Sequence, residues 1–254
     1  MGLIKTRGLI IREQPFKEQD KLITIFTEAE GKRKAIAKGA RRSKSSLIAS
    51  TQLFSYGEFI YYSGRGLATI NQAYVIESFY SLRQNINKMS LGSYVLEMLD
   101  GFYDDFQGNS DLLTVANHLL YYISENKAKS DQALIIGFQI KLLKTQGLAP
   151  TLTKCFVCGN TTDLTSFSLE GGALCNHCSK NVPYKHFINP KTLEIMAVLL
   201  KSPIKNICEI ELDVNWADEI MNLMNDILMS CLQKKMKAYE FYKSLKMNNS
   251  MVKP

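Results

Sequence analysis

Four cysteines in two close pairs, Cys155-Phe-Val-Cys158 and Cys175-Asn-His-Cys178, carry the most specific chemistry in the chain. Each pair can present two thiolates from one tight turn. The sixteen residues between Cys158 and Cys175 let the second pair fold back beside the first. Such a set matches a closed tetrahedral zinc site with four thiolate ligands, one structural Zn²⁺ and no position open to water. Gly159, directly after Cys158, suits the left-handed turn of a zinc knuckle. Two disulfides would need an oxidising compartment, and no signal segment points to one. A redox C-x-x-C centre would use only one of the pairs. His177 is a weaker ligand than its cysteine neighbours because it lies between two of them in sequence. Cys208 and Cys231 sit among apolar residues and read as ordinary buried thiols.

The second chemical feature is charge. The chain carries 31 Lys and Arg against 24 Asp and Glu, a net +7. Seven of those cations, Lys32, Arg33, Lys34, Lys38, Arg41, Arg42 and Lys44, fall within thirteen residues that contain no acid. The whole positive excess is therefore concentrated in one segment, which creates a local field for polyanions. On a strand, Lys32, Lys34, Ile36 and Lys38 share one face and Arg33, Ala35 and Ala37 the other. Such a row fits nucleic-acid phosphates, and seven contacts would give a log–log salt slope of about −5 on single strands. A lysine-protected edge strand would account for one or two of these residues.

The elements that must position these groups follow from periodicity. Residues 1–78 read as a small β domain of five strands. Leu3–Glu13 ends before Pro15, Asp20–Glu28 turns at Glu30-Gly31 into Lys32–Lys38, and a serine-rich link over residues 39–50 leads to two last strands. In Phe54–Tyr62 the apolar residues Phe54, Tyr56, Ile60 and Tyr62 recur with period two and mark one face of a strand, and Leu67–Ile76 follows the turn at residues 63–66. This count and spacing fit a five-stranded OB barrel. Tyr56, Phe59, Tyr61 and Tyr62 offer rings for base stacking, but one face of their strand must fill the barrel, so none is singled out. Lys5, Arg7, Arg12 and Arg65 could extend the positive surface.

From residue 79 the period changes to that of helices, so an α-helical domain is expected over 79–246, with the cysteine module inserted at about 152–182. Asp131 is expected to cap a helix that ends before Gly147, and Asn189-Pro190 to start another. Further helices are expected over 216–234 and 235–246, with a disordered tail at 247–254. The fold class is thus α+β. No apolar run approaches the roughly 18 residues of a membrane-spanning helix, and a cytoplasmic location is the expectation.

An enzymatic role finds little support. Gly31-Lys32 is followed by arginine and is no phosphate loop, and no nucleophile elbow, H-E-x-x-H pair or dinucleotide fingerprint occurs. His118 falls on a helix and His186 in a loop, and neither reads as catalytic.

The order of these parts resembles the bacterial RecO family. The resemblance rests on the opening L-I-K-T-R-G-L-I-I-R, on K-G-A-R-R-S-K leading into Q-L-F-S-Y-G-E, and on G-L-A-P-T-L-T-K-C-F-V-C-G at 147–159. It spans residues 3 to about 245. It implies a non-enzymatic DNA-repair and recombination mediator that binds single- and double-stranded DNA and anneals strands coated with single-stranded-DNA-binding protein, SSB. Such proteins recognise the acidic C-terminal tail of SSB through the helical domain, and with RecR they load RecA, which implies a nucleoid-associated location. Lys38, Arg41, Arg42 and Lys44 match the family's basic DNA-contacting region, while Lys32, Arg33 and Lys34 rest on charge alone. Some members lack the cysteines, so the zinc reading rests on this chain. An RNA-binding or translation-associated zinc-ribbon protein is the alternative.

Overall fold

In the computed structural model, which describes residues 2–64 and 66–251, the chain divides into two compact units. The first comprises residues up to 125 together with those from 237 onward, and the second residues 126–236. This differs from a division at residue 78. The helices that follow the barrel, and the last helix of the chain, belong to the barrel's own unit.

That unit begins with five strands: β1 (Gly2–Phe16), β2 (Asp20–Thr27), β3 (Gly31–Ala37), β4 (Tyr56–Ser63) and β5 (Ala68–Glu77). They close in the order β1-β2-β3-β5-β4. All pairings are antiparallel except β3 with β5, where Ala35 faces Ala68. Small residues at that junction allow the strands that shut the barrel to approach closely. The interior is filled with period-two residues, among them Ile10, Ile23, Ile25, Phe59, Tyr61 and Ile70. The β1 strand runs on through Pro15 to Phe16. Beyond Leu9, where its ladder with β4 stops, β1 has β2 as its one strand neighbour. A missing N–H is tolerated on such an edge.

Between β3 and β4 the serine-rich link makes successive turns, with the N–H of Arg42 donating to Gly39 O, Ser45 to Arg42 O and Ile48 to Ser45 O. Ala40 and Leu47 anchor it in the barrel core. At the β2–β3 turn Gly31 adopts φ 65°, and a Cβ there would lie 2.1 Å from Gln107 O. Only glycine permits both the left-handed turn and that contact.

The same unit holds α1 (Tyr80–Gln84), α2 (Ile86–Phe102) and α3 (Ser110–Ser124), with Asn85 and Asn109 capping α2 and α3.

The second unit contains α4 (Asp131–Thr145), strands β6 (Leu164–Ser168), β7 (Gly172–Cys175) and β8 (Lys185–Phe187), the short helices α5 (Asn176–Ser179) and α7 (Ile204–Ile207), and helices α6 (Pro190–Lys201) and α8 (Val214–Leu232). Ser130, and not Asp131, is the N-cap of α4: its side chain accepts the N–H of Ala133 and leaves Asp131 as the first helical residue. Asn189 caps α6 with Pro190 at its first turn, as the sequence requires. The three strands form a small sheet ordered β7-β6-β8.

The last helix, α9 (Lys237–Met251), returns to the first unit. The carboxylate of Glu97 accepts the N–H groups of Lys237 and Ala238 at 3.0 and 2.8 Å, and Tyr94 stacks on Tyr239. The helix continues through residues 247–251 of the expected tail, and residues 252–254 lie outside the described ones. No helix of the described residues is long and apolar enough to cross a membrane.

Candidate nucleic-acid interface and metal centre

The cysteine module is assembled by local turns. Cys155 N–H donates to Asn160 O and Gly159 N–H to Cys155 O, with Gly159 at φ 77°, the left-handed turn expected of the first knuckle. The second pair sits where β7 runs into α5, and Cys178 N–H points at Cys175 Sγ at 3.5 Å. The four Sγ atoms of Cys155, Cys158, Cys175 and Cys178 all lie within 4.8 Å of one another. Cys158 Sγ and Cys175 Sγ are 3.7 Å apart. That is too long for an S–S bond and close to the roughly 3.8 Å between thiolates sharing one tetrahedral ion at about 2.3 Å.

Electrostatics agrees with the geometry. Burial opposes ionisation of Cys155, but backbone N–H groups of Cys175, Cys158 and Val157 outweigh it and bring the thiol down to about 6. Cys178 is pushed up to about 12, first by its contact with Cys158 and then by burial. Thiols this close cannot all be anionic without a cation among them. The set can therefore hold a metal ion with no ligand position to spare. His177 is exposed and stands outside the cluster. Cys208 is buried as expected, whereas Cys231 is exposed because it lies in the last turn of α8, where the buried stripe has ended.

The basic segment separates into two parts. Lys32 and Arg33 are 8% and 2% exposed. Lys32 Nζ donates to Asp100 O at 2.7 Å and lies 3.2 Å from Asp100 Oδ1. Arg33 forms an ion pair with Glu30 at 3.2 Å, and its guanidinium lies over the Phe106 ring at 3.9 Å. Glu30 also accepts the Tyr61 hydroxyl at 2.8 Å and the Ser63 hydroxyl at 2.9 Å. Burial, then Glu30, pushes the Tyr61 phenol well above its ordinary value. Lys34, half exposed, reaches Asp105 at 3.2 Å. The segment after α2 fixes this arrangement by pairing with β3, Lys32 N–H donating to Gln107 O at 2.7 Å and Phe106 N–H to Lys32 O at 2.8 Å. Burial and internal pairing thus remove Lys32 and Arg33 from the expected phosphate-contacting row and occupy Lys34.

Lys38, Arg41, Arg42 and Lys44 are all exposed. Among the described residues none has a carboxylate within ion-pair distance. Arg41 donates to the carbonyls of Lys17 and Glu18 at 3.5 and 3.0 Å, and Arg42 Nε donates to the side chain of Gln19. These neutral partners orient the guanidinium groups against the β1–β2 turn and leave their charge uncompensated. Lys17, exposed at that turn with φ 53°, adds a cation that sequence reasoning missed, since only the fold brings residue 17 beside residue 41. Arg65 lies outside the described residues. Lys5 and Arg7 are exposed on β1, Lys5 paired with Glu58 at 3.1 Å, and Arg12 is exposed 3.9 Å from Asp100.

The strand register also decides among the aromatics of β4. Phe59 and Tyr61 are fully buried in the barrel, Tyr56 is half-buried with its hydroxyl toward Glu28, and Tyr62 faces outward.

Fold and site together define a class: an OB-like barrel with an exposed basic link, in a chain whose helical part carries a four-cysteine cluster able to hold a metal ion. The chain matches the family models described as "Recombination protein O N terminal" over residues 1–79 and "Recombination protein O C terminal" over residues 83–240, and it belongs to that family, RecO. Among curated relatives, the DNA repair protein RecO of Clostridium novyi is 34% identical over 249 residues, 97% of this chain and 96% of that protein. The protein of the same name from Acetivibrio thermocellus is 33% identical over 247 residues, 96% of this chain and 98% of its own length. That from Alkaliphilus metalliredigens is 32% identical over 234 residues, 91% and 95% of the two chains.

Proposed function

We propose that this protein is a DNA-repair and recombination mediator without catalytic chemistry of its own. It binds single- and double-stranded DNA through the barrel and anneals complementary strands coated with SSB. It recognises the acidic SSB tail and acts with RecR in loading RecA, working in the cytoplasm on the nucleoid. The observation that carries the reading is the cation set Lys38, Arg41, Arg42 and Lys44, exposed on the barrel and without carboxylate partners among the described residues, in a chain that belongs to the RecO family. Fixed cations offset the repulsion between two phosphodiester strands as counterions are released, after which base pairing supplies the driving force for annealing. With four contacts the expected log–log salt slope on single strands is about −3 (about −0.7 per contact).

The metal of the four-cysteine centre is, on this reading, one structural Zn²⁺. Four thiolates favour zinc over harder ions, and the ion would order a stretch whose buried cluster, Cys155, Leu174, Cys175 and Cys178, is mostly its own ligands. Cys155→Ser is expected to lose the zinc and lower the thermal midpoint. One zinc per chain with an unchanged midpoint would overturn the ligand assignment.

The functional test is annealing of two complementary DNA oligonucleotides pre-coated with SSB. The native protein is expected to accelerate it, and a variant with Ala at Lys38, Arg41, Arg42 and Lys44 to do so far less. Preference for structured RNA with no annealing by the native protein would replace this reading with the RNA-binding one.

A further inference from the structure

The basic link is one surface of the barrel; the outer face of β1, β4 and β5 is another. Register aligns its side chains in rows across the three strands. Leu3 pairs with Tyr62 and Tyr62 with Thr69; Lys5 pairs with Ile60 and Ile60 with Gln72; Arg7 pairs with Glu58 and Glu58 with Tyr74. Directly opposed residues share a face. The alternating partners Ile4, Thr6, Phe59, Tyr61 and Ile70 are turned inward, so these rows point out of the barrel.

A solvated sheet face ordinarily carries polar residues, yet Tyr62 and Tyr74 are each 56% exposed here. Two rows along the strands and one strand across separate them, about 14 Å. Lys5 and Arg7 are exposed in the rows at and beside Tyr74. Exposed rings next to cations are what a single-stranded nucleic acid requires, bases on the rings and phosphates on the cations. Lys5 holds Glu58 at 3.1 Å in the free protein, but an exposed pair of this kind is worth little and exchanges readily for a phosphate. A separation of about 14 Å spans roughly four stacked nucleotides at about 3.4 Å each, fewer when the strand is stretched.

The two surfaces are not continuous along β1. Lys5 and Phe16, where the β1–β2 turn that receives Arg41 and Arg42 begins, are eleven residues apart, roughly 36 Å of strand path. We infer that the outer β1–β4–β5 face is a second, base-stacking site for single-stranded DNA, with Tyr62 and Tyr74 as stacking platforms and Arg7 and Lys5 as phosphate contacts. The inference rests on the DNA-binding function proposed above. It also bears on how annealing proceeds: one strand is held by its backbone at the link, and the other by its bases on the sheet face.

Stacking and ion pairing differ in their response to salt, and this separates the two sites. The experiment measures binding of oligo-dT and of an abasic oligonucleotide of equal length, over a range of salt, to the native chain, to Tyr62→Ala/Tyr74→Ala, to Tyr62→Phe/Tyr74→Phe and to the four-alanine link variant. The native chain is expected to prefer oligo-dT over the abasic strand. The double alanine variant loses that preference, with oligo-dT affinity about tenfold or more lower per ring and an unchanged salt slope. The phenylalanine variant, which keeps the π faces, retains the preference. The link variant lowers the slope and keeps the preference. Unchanged thermal midpoints for the two exposed tyrosine substitutions show that folding is not the cause. If the native chain binds oligo-dT with a preference that Tyr62→Ala/Tyr74→Ala leaves intact, the stacking site is overturned and the face is better suited to a protein. If the native chain binds neither oligonucleotide, the DNA-binding function itself fails and the site with it.

Discussion

Lys32, Arg33 and Lys34 stand within a few residues of Lys38, Arg41, Arg42 and Lys44, yet the two groups meet opposite environments. The first three lie in β3, whose register fixes each side chain and whose edge is paired by the segment after α2, and that segment and its neighbours bring Glu30, Asp100 and Asp105 against them. The other four lie at and beyond the end of β3, on a link held by turns, and the partners of its arginines are backbone carbonyls and a glutamine. Dipoles position a guanidinium without cancelling its charge. A run of cations therefore splits into a structural part and an available part according to whether its partners are ions or dipoles.

The largest expected effect probes the structural part. Arg33→Ala leaves the Glu30 carboxylate without its cation and strips the cover from Phe106, and should cost about 3–5 kcal/mol in urea denaturation. Arg33→Lys should restore little of this, because an ammonium lacks the planar fork that meets both Glu30 and the ring. Reduced DNA binding with unchanged stability in Arg33→Ala would break the division between the two groups. Next comes the available part. Alanine at Lys38, Arg41, Arg42 and Lys44 should flatten the salt slope by about 3 while leaving the denaturation midpoint nearly unchanged.

A smaller effect sharpens the picture around Glu30. Since burial and then Glu30 raise the Tyr61 phenol above its ordinary value of 10, folding favours the neutral phenol. Its contribution is complete below pH 10 and is lost as pH rises beyond it, because the unfolded chain ionises first. Tyr61→Phe should cost about 1.5–3 kcal/mol at neutral pH for the lost bond to a carboxylate, and its stability should fall less on the alkaline side. The smallest effect belongs to Lys34→Ala. Its pair with Asp105 is exposed, and its loss should change stability by about 1 kcal/mol at most.

Much of the barrel was legible in the sequence, because apolar residues repeat with the period of a strand and glycines mark the turns. The repeat Phe54, Tyr56, Ile60 and Tyr62, however, marked the wrong face of β4: Phe59 and Tyr61, on the opposite face, fill the barrel. The cysteine cluster was legible from spacing alone, since the ligands of each knuckle are local. What failed to show was whatever depends on distant partners. Counting charges from 32 to 44 found no acids, and the three that matter lie at residues 30, 100 and 105. Ser130 took the cap expected of Asp131 because either side chain can accept the N–H, and only the backbone decides which residue is first in the helix. Tyr62 could not be told from Tyr61 until the pairing of β4 with β1 showed which one faces out. The placement of α9 with the barrel was likewise invisible, because Glu97 and Lys237 are 140 residues apart.

That last contact has a consequence for how the molecule is made. The unit that contains the first strand cannot be completed until the final helix has been synthesised, and the whole of residues 126–236 must emerge in between. Until then the carboxylate of Glu97 lacks the N–H groups of Lys237 and Ala238, and the ring of Tyr94 lacks its stack on Tyr239. Long-range closure of this kind slows folding and leaves apolar surface open meanwhile. A nascent or truncated chain ending near residue 236 is thus expected to be the form most exposed to chaperones and proteases, even though its barrel strands are already in place.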